Sequence, residues 1–201
     1  MLNYPIRNVL QHPPLSRQRG DSMVEVLVTL LVVAIGMLGV AGLQAKVSLA
    51  EMESYQRSQA IVALSEMFER MESNRGLAAA YVTAGTIGTG DTQPADCTTI
   101  AVGPARDICE WSNRLKGAAE AKSGLSVGGM ISAVGCITQV QAPNPATNVC
   151  QPGVYQVSVA WQGNTPTVVP GLACGQGSYG TNDAFRRLVA VTVTVGTTAC
   201  Q

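Results

Sequence analysis

The strongest constraint on this chain is an uncharged run over residues 26–45, "VLVTLLVVAIGMLGVAGLQA". Its length is close to the roughly 20 residues that a spanning helix needs. It exceeds the apolar core of about 7–15 residues found in a secretory signal peptide. Through residue 43 the run is apolar on every side, so it has no polar face to turn to water. Gly36, Gly39 and Gly42 punctuate it. Each weakens a helix by roughly 1 kcal/mol relative to Ala, and each permits close helix packing in a membrane. One carboxylate, Glu25, stands at the front of the run. Its burial in an apolar layer would cost on the order of 1–3 kcal/mol, depending on depth.

Past Lys46 the pattern becomes amphipathic. Ile61, Leu64, Phe68 and Met71 recur at helical spacing, with Glu51, Glu53, Arg57, Glu66, Glu69 and Arg70 on other faces. Asn74 and Gly76 supply a stop. The spacing thus predicts one helix running from the apolar segment into a head domain, its apolar stripe serving as core. Residues 76–104, poor in large apolar groups, read as an irregular surface loop. A short helix follows in "RDICEWSNRLKGAAEA", with Ile108, Trp111 and Leu115 along one face. Three strands are predicted in "MISAVGCITQVQ", "GVYQVSVAWQG" and "RRLVAVTVTVG", the first two bracketing a turn at Pro143, Asn144 and Pro145. Tyr155, Val157, Val159 and Trp161 alternate with Gln156, Ser158, Ala160 and Gln162, the pattern of a sheet with one covered face. Helix first and antiparallel strands later is the α+β order.

The formal charge is zero, but residues 1–20 carry Arg7, Arg17 and Arg19 and no acid. Without them, ten basic side chains face thirteen acidic ones, a net charge of −3. That balance argues against nucleic acid as the main partner. The single histidine, His12, lies in the same stretch, so a chain processed there loses Ser/His/Asp and Cys/His catalysis and every His-based metal site. No enzyme class and no cofactor gains support. "GQGSYG", residues 175–180, fits a dinucleotide fingerprint on paper but lacks the strand and helix that must flank one, so it reads as a loop. Asp91, Asp96 and Asp107 are too scattered for a calcium loop. Six cysteines, Cys97, Cys109, Cys136, Cys150, Cys174 and Cys200, lie beyond the apolar run and form no CxxC pair. Behind a membrane-targeting segment they read as structural disulfides in an oxidising compartment. Nearest-neighbour pairing is expected: Cys97–Cys109, Cys136–Cys150 and Cys174–Cys200.

"RQRGDSMVEVLVTLLVVAIGMLGVAGLQAK", residues 17–46, resembles the class III signal of type IV pilins and pseudopilins, most closely the PilV-like minor pilins. The resemblance implies a leader peptide over residues 1–20, cut by a prepilin peptidase between Gly20 and Asp21. It implies a spine helix over residues 21–75, of which 21–45 are transmembrane and later filament core, and a head over residues 76–201. The expected fold is α+β and pilin-like: a long helix on a small antiparallel sheet, braced by disulfides. Glu25 becomes the fifth residue of the cut chain and, as the resemblance implies, docks on the terminal ammonium of a neighbouring subunit or of its own chain. The implied partners are the prepilin peptidase, other minor pilins, the major pilin, the inner-membrane assembly platform, membrane lipid before assembly and, where present, a tip adhesin. The implied location is the inner membrane with a periplasmic head, then the pilus. The sequence departs from the family at Asp21, where most members carry Phe, which bears on N-methylation of the new terminus. The alternatives are a minor pseudopilin of a type II secretion system and a secreted binding domain behind a cleaved signal peptide.

Overall fold

The structure, a computed structural model, describes residues 23–117, 121–122, 125–126, 129–146 and 149–196. The leader region, with Gly20 and Asp21, and Cys200 lie outside the described residues. The chain divides into two compact units, Met1–Lys46 and Val47–Gln201. Helix α1, Met23–Ser73, begins in the first and ends in the second.

The first unit is described over residues 23–46, where every side chain is exposed. Its apolar surface includes Leu27, Leu31, Ile35 and Leu38, each more than half accessible. The helix is long and apolar enough to cross a membrane, with none of its most hydrophobic window buried by the protein.

In the second unit, α1 is followed by a 3-10 helix, Arg75–Tyr81, then β1 (Ile87–Gly88) and α2 (Pro104–Leu115). The short pair β2 (Ala121–Lys122) and β3 (Leu125–Ser126) leads to β4 (Val134–Gln141), β5 (Gly153–Gln162) and β6 (Arg186–Val195). Four strands form an antiparallel sheet in the order β1-β4-β5-β6. The three predicted long strands and the predicted short helix are all present. A register shift between Gln139 and Gln141 accommodates the extra residue Val140. The β5–β6 register runs without a break from Gly153↔Val195 to Gln162↔Arg186.

The main core lies between the sheet and the two helices. Tyr155, Val157, Val159 and Trp161 of β5 are buried there with Ala60, Ala63, Met67 and Met71 of α1 and Trp111 and Leu115 of α2. Two alanines at the α1 contact let a large partner approach, and the Trp111 Nε1–H donates to the Ala63 carbonyl at 2.8 Å. Gly135 on β4 makes the matching space: a Cβ there would lie 2.3 Å from the Trp111 ring. This packing corrects the expected stripe. Leu64 and Met71 are buried and Phe68 packs on the core, but Ile61 is 46% exposed and Gln56 is buried in its stead. Helical rotation set by the small alanines, not by the largest apolar residues, decides which side faces in.

Three further expectations change. The stretch over residues 76–104 is not wholly irregular, because the 3-10 helix buries Tyr81 and β1 adds an edge to the sheet. The sheet is also covered on both faces at one end. Ser158 and Ala160 are buried under the segment between β5 and β6, where Tyr179 and Cys174 join Val134, Cys136 and Ala160 in a second cluster. The pairing of cysteines differs too. Cys97–Cys109 forms as expected, but Cys136 bonds to Cys174, which overturns both Cys136–Cys150 and Cys174–Cys200. The reason is register. Cys136 pairs across the sheet with Ser158, so Gly153, five residues back, already lies about 16 Å along β5, and Cys150 precedes it. Cys174 is brought over Cys136 by the returning loop. Cys150 is itself disulfide-bonded.

Candidate functional site

Among the residues expected to act, Glu25 is described. It sits in the first turn of α1, where a negative charge meets the positive end of the helix dipole. It is exposed, as are the apolar side chains of the helix beyond it. At Gly36, Gly39 and Gly42 nothing among the described residues stands within 4 Å of where a Cβ would be, so none of them requires a glycine there. The arrangement is a charged tip on an uncovered apolar rod. Gly20 and Asp21, the expected cleavage pair, lie outside the described residues.

The second unit holds α1 to α2 through a set of charges that sequence spacing does not reveal. Arg70 Nη1 donates to Asp107 Oδ1 and Glu110 Oε2, both at 2.7 Å, and Nη2 to Glu66 Oε1 at 2.8 Å. Arg106 Nε reaches Glu110 at 3.0 Å, and Arg114 lies 3.8 Å from Glu66. Partial burial alone would lower the Arg70 pKa, but hydrogen bonds to Glu110, Asp107 and Glu66 outweigh it and raise it. The same contacts from Arg70 and Arg106 hold the Glu110 carboxyl below its usual range. Burial and the hydrogen bond to Asp107 push the Tyr81 hydroxyl up to about 12. A second anchor centres on Asp91. Burial opposes its charge, but Lys116, the Gly88 N–H and Ser112 lower its pKa on balance. Each of these acids is engaged by a structural cation or donor.

The "GQGSYG" loop is built as a cover. Gly175, Gly177 and Gly180 all have positive φ, and Asp183 accepts the N–H groups of Gly177 and Tyr179. Arg186, only 2% exposed, donates to the carbonyls of Pro170, Leu172 and Cys174 and so pins the loop from beneath. The loop over residues 175–180 is present as the sequence predicts, but nothing local points to a buried arginine as its clamp. Among the described residues no cluster of His, Cys, Asp and Glu could hold a metal ion.

No protein-family model, curated protein or solved structure matches this chain.

Proposed function

We propose that the protein is a minor pilin of a type IV pilus. It would be held in the inner membrane with its head in the periplasm, then drawn into a filament through its N-terminal helix. One observation carries this reading: Glu25 heads an exposed apolar helix, five residues after a glycine preceded by basic Arg17 and Arg19. An ordinary signal peptide or anchor has no use for that carboxylate, whereas a helix that must align with identical or related helices does. In a filament core that excludes water, a carboxylate without a cation would be strongly unfavourable, so pairing with a neighbour's terminal ammonium rejects misaligned subunits. The cysteine-bridged α+β head supports the reading, because such domains are stabilised in oxidising compartments.

The mechanism is packing without chemistry on a substrate. After a prepilin peptidase cuts between Gly20 and Asp21, the apolar rod exchanges lipid for neighbouring helices, and the head is carried to the filament surface. Other minor pilins, the major pilin, the assembly platform and, where present, a tip adhesin are its partners. The deciding test is the mass of the mature N-terminus. A chain beginning at Asp21 supports the filament reading; one beginning near Leu43 or Lys46 refutes it in favour of a secreted domain. Gly20→Val should leave an uncut, membrane-retained precursor.

A further inference from the structure

The two edges of the sheet are finished differently. On one side β1 has only two residues, Gly88 has φ +109, and the Thr83 and Thr89 N–H groups bond to Ile137 and Ala133 carbonyls. From Ala133 to Ile137 that edge is short, bent and covered. On the other side β6 runs for ten residues without a bulge, and its stretch "LVAVTVTV" contains neither charge nor proline. Proteins ordinarily protect such an edge with charge, proline, a bulge or a covering segment.

Register shows which groups are open. Ile137 turns its carbonyl toward the β1 side, and Gly163 turns its N–H toward Phe185 on the β6 side. Carried through the pairings Ile137↔Val157 and Val157↔Val191, this alternation directs the odd-numbered residues of β6 to β5. Leu188, Ala190, Thr192 and Thr194 therefore direct their N–H and C=O groups away from the sheet. Among the described residues none of the four has a hydrogen-bonding partner on that side. Beside the edge, between α1 and the start of β6, lies a groove of about 500 Å³ lined by Glu53, Arg57, Trp161, Arg187 and Val189. Its charges are unbalanced. Arg187 is occupied by Glu53 at 2.5 Å, while Arg57 is exposed and makes no ion pair or hydrogen bond among the described residues. The buried Nε1–H of Trp161 also finds no acceptor.

We propose that β6 is a docking edge that takes an extended segment of a partner protein as a fifth strand. The segment carries a carboxylate side chain that enters the groove and pairs with Arg57. Backbone pairing with Leu188, Ala190, Thr192 and Thr194 supplies affinity, and the carboxylate selects the partner and its register. Val189, Val191 and Val193 continue the core face, so the added strand presents apolar side chains, apart from its acid, on the α1 side. This inference stands independently of the filament reading.

The test uses the full chain in detergent micelles and a labelled synthetic peptide of alternating Thr and Val, matched in length to β6. One Glu is scanned through the Val positions, and each peptide has a Gln counterpart. Saturable binding is expected at one Glu position, weakened roughly two- to fivefold in its Gln counterpart. Arg57→Ala should abolish that difference. Thr192→Pro removes an outward N–H without touching the ladder to β5, and should weaken binding about tenfold or more with an unchanged circular dichroism spectrum. A peptide N-methylated along its pairing edge should fail in the same way without any change to the protein. Three outcomes would overturn the proposal: no saturable binding across the scan, binding indifferent to both Thr192→Pro and N-methylation, or a dimer of this chain that Thr192→Pro dissolves.

Discussion

The two halves of α1 share one backbone conformation and almost nothing else. Over residues 23–46 every side chain of the helix is exposed, and from residue 26 to 43 the run is apolar on every side. From residue 56 onward it buries Gln56, Ala60, Ala63, Leu64, Met67 and Met71 along one side. The difference shows that helicity and hydrophobicity do not by themselves say where a helix is stabilised. The second half draws its stability from apolar area removed from water inside this chain. The first half is equally helical, yet among the described residues none covers its apolar side chains. A mutation in the second half should therefore be read out as head stability, and one in the first half should leave that stability unchanged.

The largest break in that comparison is expected at the α1–α2 contact. Trp111→Ala removes the ring that fills the space between Ala63 and Gly135, and should destabilise the head by about 3–5 kcal/mol in denaturant titration of the full chain in micelles. Leu31→Ala in the exposed half should leave that same transition in place. A matched loss from Leu31→Ala would erase the distinction between the two halves.

Next come the disulfides. Cys136–Cys174 closes a loop of sequence separation 38 and Cys97–Cys109 one of only 12. On chain-entropy grounds each contributes about 2–4 kcal/mol, the longer loop more. The Cys136→Ser, Cys174→Ser double variant should therefore lower the melting temperature more than the Cys97→Ser, Cys109→Ser double variant. Mass spectrometry of the digested, unreduced protein should find the Cys136–Cys174 peptide and no Cys136–Cys150 peptide.

A smaller effect is expected from acid. Glu110 and Asp91 both have carboxyl groups held below the usual range in the folded head. A depressed folded pKa contributes stability that is complete above the unfolded value of about 4 and is lost as pH falls through the folded value. The head should thus keep its melting temperature from neutral pH down to about 5 and lose it progressively below 4. Arg70→Met, which removes the shared cation, should flatten the part of this slope that belongs to Glu110. An unchanged slope would dissociate the α1–α2 charges from acid stability.

The smallest effects on folding sharpen the comparison most. Ile61→Ala changes a residue that is 46% exposed and should cost less than about 0.5 kcal/mol, despite its place in the apolar spacing. Glu25→Ala should not move the head transition at all. Under the filament reading it should still be cut after Gly20 and reach the membrane, yet co-purify poorly with sheared pili. Incorporation at the unmodified level would show that Glu25 is not the docking charge.

Much of this molecule was legible without coordinates because its signals are local. The uncharged run, the position of Glu25, the alternation in β5 and the apolar face of α2 each depend on residues within a turn or two of one another. They determined an apolar helix followed by an antiparallel α+β head with cross-links. Tertiary structure decided what depends on pairs distant in sequence. Cys136 chose Cys174 because strand register moves Cys150 along the sheet and a returning loop brings Cys174 above it. Ile61 turned outward because Ala60 and Ala63 let α2 and the sheet approach on another side. The second covered face appeared because Arg186, at the start of β6, gathers three carbonyls of the loop and holds it down. In each case periodicity names the residues able to be buried. Only the packing of elements far apart in the chain selects which of them are.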